Sequence, residues 1–221
     1  MDVKTNLNKI KKEIPTEVCL VAVSKTKPVE MIREAYDAGQ RDFGENKAQD
    51  MAAKFPLLAQ DIRWHFIGHL QSNKVKYIAP FVSMIHAVDS LKILKEINKQ
   101  AANNQRTINC LLEFHIAREE SKFGLSLAQA EDILQSEEYK QMLNVHLCGV
   151  MGMATFTEDA DQIRGEFHQL KEYFDLLKQK YFATDGYFKE ISMGMSGDYM
   201  IAIMEGATLV RVGSKIFGAR G

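Results

Sequence analysis

Residues 18–39, VCLVAVSKTKPVEMIREAYDAG, contain the first strand-turn-helix pattern of this chain. The apolar run from Val18 to Val23 is typical of a buried strand, and it delivers Lys25 at its end. Pro28 then opens a helical segment, which Gly39 ends. The apolar residues of that segment recur at helical spacing: Met31, Ile32, Ala35 and Ala38. The stretch therefore predicts a strand, a short turn that carries a lysine, and an amphipathic helix.

Strand-like runs alternate with helical segments along the rest of the chain. The further predicted strands are residues 42–46, 62–68, 83–89, 107–115, 145–153, 189–195 and 208–218. Helices between strands imply parallel crossovers. The pattern predicts an α/β fold, a single (β/α)8 TIM-type barrel over residues 1–221 with an extra N-terminal helix at residues 3–13. A doubly wound open sheet is the alternative that the order of elements leaves open.

The composition is that of an ordinary globular protein. The 28 Lys and Arg residues against 29 Asp and Glu give a net charge of −1, which implies no nucleic-acid or acidic-membrane partner. The chain has no run of about 18 apolar residues and no signal-peptide pattern, so we expect a cytoplasmic protein. Cys19, Cys110 and Cys148 lack CxxC spacing, and no HExxH pattern occurs. We therefore expect reduced thiols and no metal site.

Small and polar residues are densest after the last two predicted strands. In a barrel of this type the functional face lies at the carboxyl ends of the strands. There the sequence reads SMGMSG at residues 192–197 and RVGS at residues 211–214. Glycines let the backbone approach a ligand closely, and hydroxyl and N–H groups donate hydrogen bonds to phosphate oxygens. The two segments predict a phosphate-binding site.

The lysine at the end of the first strand faces that predicted phosphate site across the mouth of the barrel. An amine near a bound phosphate suits pyridoxal 5′-phosphate (PLP), which carries both an aldehyde and a phosphate. The aldehyde would form a Schiff base with the amine. Lys25 is one candidate, Lys27 stands two residues further on, and the spacing alone does not choose between them.

Several histidines fall within predicted strands. We interpret His65, His86 and His146 as residues that pack in the core or the barrel rather than bind a ligand. His168 falls in the predicted long helix, residues 160–181, and is expected at the surface. None of these histidines is assigned a function from the sequence.

Seven short motifs follow one another across nearly the whole chain. They are AVSKTKP (22–28), FGEN (43–46), WHFIGHLQSNK (64–74), SKFG (121–124), GVMGMA (149–154), SMGMSGD (192–198) and VRVGSKIFGAR (210–220). In this combination the chain resembles the YggS/PROSC family of pyridoxal phosphate homeostasis proteins. The resemblance implies a single-domain barrel similar to the N-terminal domain of bacterial alanine racemase, with PLP as its cofactor.

The resemblance also implies roles for individual residues. PLP would be held as an aldimine on Lys25, the first lysine of SKTKP, rather than on Lys27. Asn46 of FGEN would lie beside the cofactor, and Arg211 would face its pyridine nitrogen. The phosphate would be held by Ser192, Ser196, Gly213 and Ser214. Because arginine is a permanent cation, it would keep that nitrogen unprotonated and make the ring a poorer electron sink.

One segment departs from the family pattern. Residues 113–124, EFHIAREESKFG, carry Glu113, Phe114 and His115 where relatives often have small polar residues. The mouth of the barrel is therefore expected to differ in shape. Lys122, in the same segment, is assigned no role.

Two functions fit the resemblance, besides an interaction module that binds no PLP. The first is a carrier without catalytic residues, which buffers PLP and hands it to apo-enzymes. The second is a small amino-acid racemase, which needs a lysine and a tyrosine on opposite faces of its substrate. In alanine racemase that tyrosine comes from a second domain, whereas this sequence ends after its last strand, so we expect a monomer and favour the carrier. Tyr187 and Tyr199, near the phosphate segment, remain open as bases.

Overall fold

Eight parallel strands form a closed barrel in the computed structural model, which describes residues 2–119 and 122–218. Each strand pairs with the next along the chain, and the last pairs with the first through Val21 and Arg211. The strands are β1 Cys19–Val23, β2 Asp42–Glu45, β3 Arg63–Phe66, β4 Met84–Val88, β5 Ile108–Phe114, β6 Val145–Gly152, β7 Glu190–Met195 and β8 Leu209–Val212. The TIM-type prediction is confirmed, and the open-sheet alternative is wrong.

Helices connect the strands and cover the outside of the barrel. They are α1 Val3–Glu13, α2 Val29–Asp37, α3 Ala48–Lys54, α4 Val75–Ile78, α5 Leu91–Asn103, α6 Leu127–Gln135, α7 Glu137–Lys140, α8 Ala160–Tyr181, α9 Tyr199–Met204 and α10 Ser214–Phe217. The predicted N-terminal helix is α1, whose Asp2 caps it by accepting a hydrogen bond from the Thr5 N–H at 3.3 Å. Its apolar face is buried.

The predicted eighth strand, residues 208–218, is too long. β8 ends at Val212, and Ser214–Phe217 forms the short helix α10 after a turn at Gly213. The apolar pair Ile216 and Phe217 resembles a continued strand in the sequence. Both residues lie in α10, and both side chains are buried. Asn6 of α1 donates a hydrogen bond to the Ile216 carbonyl at 3.1 Å. A short apolar run cannot by itself distinguish these two outcomes.

The cysteines and the helices can now be compared with the expectations from the sequence. Cys19, Cys110 and Cys148 are free thiols, and burial raises the pKa of Cys19 to about 12. Within the described ranges, 2–119 and 122–218, every helix is too short or too polar to cross a bilayer. Three residues of the sequence motifs, Ser121, Ala219 and Arg220, lie outside the described residues.

Candidate functional site

A cavity of about 960 Å³ opens at the carboxyl ends of the strands. Five of the seven site residues predicted from the sequence line it: Lys25, Ser196, Arg211, Gly213 and Ser214. They come from the ends of β1, β7 and β8, which adjoin in the closed barrel. The structure therefore brings an amine, a guanidinium and two loops of small residues to one space.

The turn that carries Lys25 is held in an unusual backbone conformation. Thr26 has a φ of +65°, in the left-handed region that β-branched residues rarely adopt. The Lys27 N–H donates a hydrogen bond to the Ser24 carbonyl at 3.0 Å, which closes the turn. Lys25 and Lys27 are both half-buried, and both line the cavity. The geometry therefore accommodates either lysine, and the choice of Lys25 rests on the resemblance.

A buried ion pair supports this turn from outside the barrel. Glu45 of β2 accepts hydrogen bonds from the Ser24 hydroxyl at 2.6 Å and from Lys54 Nζ of α3 at 2.7 Å. Lys54 Nζ also donates to the Ser24 carbonyl at 3.0 Å. Burial raises the pKa of Glu45, against the opposing effect of its bonds from Lys54 and Ser24. The end of β1 is thus fixed one residue before Lys25.

The two loops of small residues are joined to each other. The Gly213 N–H donates a hydrogen bond to Ser196 Oγ at 3.1 Å, which leaves the Ser196 O–H as a donor. Gly213 also passes close to β1, because an added Cβ would lie 3.1 Å from the Val23 carbonyl oxygen. A side chain at this position would require the loop or β1 to shift by a few tenths of an ångström. Glycine therefore allows the loop to approach β1 closely.

Arg211 lies at the floor of the cavity with its guanidinium fixed. It is 4% exposed, and its Nη2 donates to the Gly152 carbonyl at 3.0 Å. Its Nη1 donates to Ser192 Oγ at 2.5 Å. Burial lowers the pKa of Arg211 to about 10, although the charges of Asp198 and Glu113 oppose this. The side chain therefore remains a cation at neutral pH, as the sequence predicts.

Two predicted site residues do not line the cavity. Asn46 is half-buried directly after β2, and its backbone packs on Gly68, where an added Cβ would lie 2.5 Å from the Asn46 carbonyl oxygen. Ser192 is fully buried inside the barrel, where its hydroxyl contacts His86 and Arg211. The structure therefore gives no support to the phosphate contact that the resemblance implies for Ser192.

Glu113 is a buried acid that the sequence marks only as a departure from the family pattern. It is 3% exposed on β5, and its Oε2 has no hydrogen-bond partner among the described residues. Two residues earlier, Leu111 belongs to the apolar cluster inside the barrel, so the alternation of the strand directs Glu113 inward as well. Burial and the charge of Asp89 raise its pKa to about 7, and Arg211 opposes the shift.

Glu113→Gln is expected to stabilise the protein above neutral pH. The pKa of Glu113 is about 7 in the folded protein and 4.5 for an ordinary glutamate, which represents the unfolded chain. Between these two pH values the folded chain holds a proton that the unfolded chain releases. Stability is therefore lost as the pH rises from 4.5 to about 7. Glutamine has the same shape and no charge to bury, so the gain at high pH is roughly 3 kcal/mol.

Urea unfolding at two pH values checks this prediction. The gain should be present at pH about 8 and vanish at pH about 4, below both pKa values. Glu137→Gln is the control, since that side chain is 77% exposed on α7. Equal stability of wild type and Glu113→Gln at the higher pH would contradict the burial of a charge at this position.

Lys122, which the sequence leaves without a role, also reaches the cavity. Its Nζ donates to the Ala154 carbonyl at 2.6 Å and pairs with Glu119 Oε2 at 2.7 Å. The bond to Ala154 fastens the segment after β5 to the loop after β6. The lysine therefore has a structural role at the rim, whatever else it contacts.

The chain is similar over its whole length to proteins of a known family. The family model described as "Alanine racemase, N-terminal domain" matches residues 2–221. The chain belongs to this family. A "Pyridoxal phosphate homeostasis protein" of Aquifex aeolicus is 38% identical over 203 residues, which cover 91% of this chain and 86% of the relative. The resemblance found from the motifs is therefore confirmed.

Solved structures separate two kinds of relative within the shared fold. PipY of Synechococcus elongatus, solved with PLP bound, is 33% identical with a TM-score of 0.89, and the match covers 98% of this chain and 100% of PipY. Alanine racemase of Clostridium difficile is 12% identical with a TM-score of 0.77, and only 56% of that chain is matched. The racemase likeness shows the fold alone.

Proposed function

We propose that this family member is a PLP carrier, which binds the cofactor through a Schiff base to Lys25, buffers it and hands it to apo-enzymes. The observation that carries the proposal is the meeting of Lys25, Arg211 and the loops at Ser196 and Gly213 in one cavity. The homeostasis proteins and PLP-bound PipY among its relatives support the same function. In this proposed function, residues 1–221 form one domain that acts as a monomer.

The residues present fit PLP group by group. A phosphate requires hydrogen-bond donors, and the Ser196 hydroxyl with the loop at Gly213 and Ser214 offers them. An aldehyde requires an amine, which the Lys25 turn supplies. When bound, PLP supplies an aldehyde that reacts with amines. The fixed Arg211 cation on the cavity floor suits an unprotonated pyridine nitrogen, which can accept its hydrogen bond.

The positions of two tyrosines favour the carrier over a racemase. Tyr199 is 1% exposed, its hydroxyl donates to Glu13, and burial raises its pKa to about 12. Tyr187 precedes β7 and stacks on His146, near the start of β6. It therefore lies at the amino ends of the strands, opposite the cavity. Neither tyrosine that the sequence leaves open is placed to act as the second base.

A spectroscopic and an isotopic experiment together test the carrier function. The protein mixed with PLP is expected to develop an absorbance band that free PLP lacks, and to reactivate an added PLP-dependent apo-enzyme when mixed with it. L-alanine incubated with the loaded protein in D₂O should keep its α-proton. Exchange of that proton at the rate of an enzyme would instead establish the racemase, and absence of the band would leave only a module that binds no PLP.

A further inference from the structure

A line of buried polar side chains crosses the inside of the barrel beneath the cavity. His65 Nε2 lies 3.0 Å from Asp42 Oδ1, and His65 Nδ1 lies 2.9 Å from His86 Nε2. His86 Nδ1 lies 2.8 Å from Ser192 Oγ, which is 2.5 Å from Arg211 Nη1. These five residues come from β2, β3, β4, β7 and β8 and are each less than 9% exposed. The line joins the amino end of the barrel to the cavity floor.

The two ends of the line are chemically unambiguous. Arg211 can only donate hydrogen bonds, and an ionised Asp42 can only accept them. Burial alone would raise the pKa of Asp42, but bonds from His65 and Arg63 hold it well below its usual range. The Arg63 Nε donates to Asp42 Oδ1 at 2.7 Å from the solvent side. Asp42 therefore remains a carboxylate.

These ends fix the direction of each bond between them. His65 must donate from Nε2 to Asp42, and a neutral His65 then accepts at Nδ1 from the Nε2–H of His86. His86 in turn accepts at Nδ1 from the Ser192 hydroxyl, which accepts from Arg211. Burial lowers the pKa of His86 well below its ordinary value, so the ring is neutral. Every donor and acceptor of the line is satisfied in this direction.

The reverse direction leaves a donor without an acceptor. If His65 donated to His86, it would carry two protons, and His86 would donate from Nδ1 to Ser192. Ser192 Oγ would then accept from both His86 and Arg211. Its own hydroxyl hydrogen would need a third partner, and none is found for it among residues 2–119 and 122–218. An unsatisfied buried hydroxyl is costly, so the first direction prevails.

We propose that Asp42, His65, His86 and Ser192 are positioning residues that orient the Arg211 guanidinium toward a ligand ring on the cavity floor. The line holds Nη1 from below while the Gly152 carbonyl holds Nη2, so the guanidinium plane cannot turn. This inference rests on the proposed function for the nature of the ligand. The direction of the hydrogen bonds is a property of the ligand-free protein.

Other charged groups act on the two ends of the line. Arg63 acts on Asp42 at the amino end of the barrel. Asp198 and Glu113 act on Arg211 at the cavity. None of these residues donates or accepts a bond between Arg211 and Asp42. The protonated nitrogen of the His65 ring and that of the His86 ring show the direction of the bonds in the line.

Nitrogen NMR of the imidazole rings tests the direction in the ligand-free wild-type protein. We expect both His65 and His86 in the Nε2–H tautomer at pH about 8, with Nδ1 unprotonated in each. A His86 ring that carries its proton on Nδ1, or a doubly protonated His65, would overturn the proposed direction. This measurement needs no cofactor and no substitution, so it stands whatever the outcome of PLP binding.

A matched pair of variants tests the positioning of Arg211. Ser192→Ala breaks the line, whereas Cys148→Ala removes one heavy atom from the barrel interior outside the line. We expect the His86 Nδ1 signal to shift in Ser192→Ala only. The PLP affinity of Ser192→Ala should fall by roughly tenfold or more, since a bond to a charged group is lost. The affinity of Cys148→Ala should fall by about twofold or less.

Unchanged affinity of folded Ser192→Ala, with the His86 signal shifted, would overturn the positioning role while leaving the bond direction intact. If wild-type protein bound no PLP at all, the proposed function would fail. The tautomers in the ligand-free protein would then still decide whether the line has the direction inferred here.

Discussion

Lys25→Ala is expected to abolish the absorbance band that PLP develops on this protein. The variant removes the amine at the end of β1, and the loops at Ser196 and Gly213 with Arg211 can then hold PLP only by non-covalent contacts. Its affinity should fall on the order of 100-fold, which corresponds to about 2.7 kcal/mol. Titration of each protein with PLP, followed by absorbance, measures both effects.

Lys27→Ala is the matched control for this prediction. It removes an amine that lines the same cavity two residues away, so a general loss of positive charge would affect both variants alike. We expect Lys27→Ala to keep the band and to lose little affinity. The opposite result, with the band kept in Lys25→Ala and lost in Lys27→Ala, would show that the resemblance selects the wrong lysine.

Lys54→Met is expected to destabilise the protein by about 3–5 kcal/mol, the usual cost of removing one partner from a buried ion pair. Glu45 has a fully buried side chain, and Lys54 is 13% exposed in their contact at 2.7 Å. Methionine keeps the apolar stem of the lysine but leaves the carboxyl unpaired. The end of β1 also loses the bond to the Ser24 carbonyl, so PLP binding should weaken.

The double variant Glu45→Gln/Lys54→Met separates charge from packing. With both charges removed, no uncompensated carboxylate is buried, and most of the stability should return. Urea unfolding of the wild type, the single variant and the double variant gives the comparison. A loss below about 1 kcal/mol in Lys54→Met would mean that the pair behaves as an exposed one, against its burial.

The barrel could be predicted from the sequence because each strand and each helix has a recognisable pattern of neighbouring residues. The continuous apolar run from Val18 to Val23 indicates a strand, and the helical spacing of apolar residues after Pro28 indicates a helix. Helices between the strands in turn indicate parallel crossovers. The end of β8 could not be predicted in the same way. Ile216 and Phe217 are buried by α1, more than 200 residues earlier in the chain, as the bond from Asn6 to Ile216 shows.

The cavity could be predicted in outline because strand ends are local features. Lys25, Ser196, Arg211 and Gly213 each follow or end a strand, and barrel closure brings them together. The partners of Ser192 could not be predicted. Its bond to His86 joins β7 to β4, and only the closed barrel brings these strands face to face.

The buried histidines show the limit of reading residues one at a time. The sequence predicts His65 and His86 as packing residues, and their burial agrees with that interpretation. Their ring nitrogens nevertheless bond to Asp42, to each other and to Ser192. A polar side chain on each of three successive strands, stepped by two residues from one strand to the next, is the signal that could have indicated the line. The sequence contains it at Asp42, His65 and His86.

Borohydride reduction of the PLP-treated wild-type protein, followed by peptide mapping, identifies the lysine that forms the Schiff base. Reduction converts a Schiff base into a stable adduct on the lysine that formed it. We expect a single major adduct at Lys25, within the segment AVSKTKP at residues 22–28. An adduct chiefly at Lys27 or at Lys122, or no adduct at all, would contradict it.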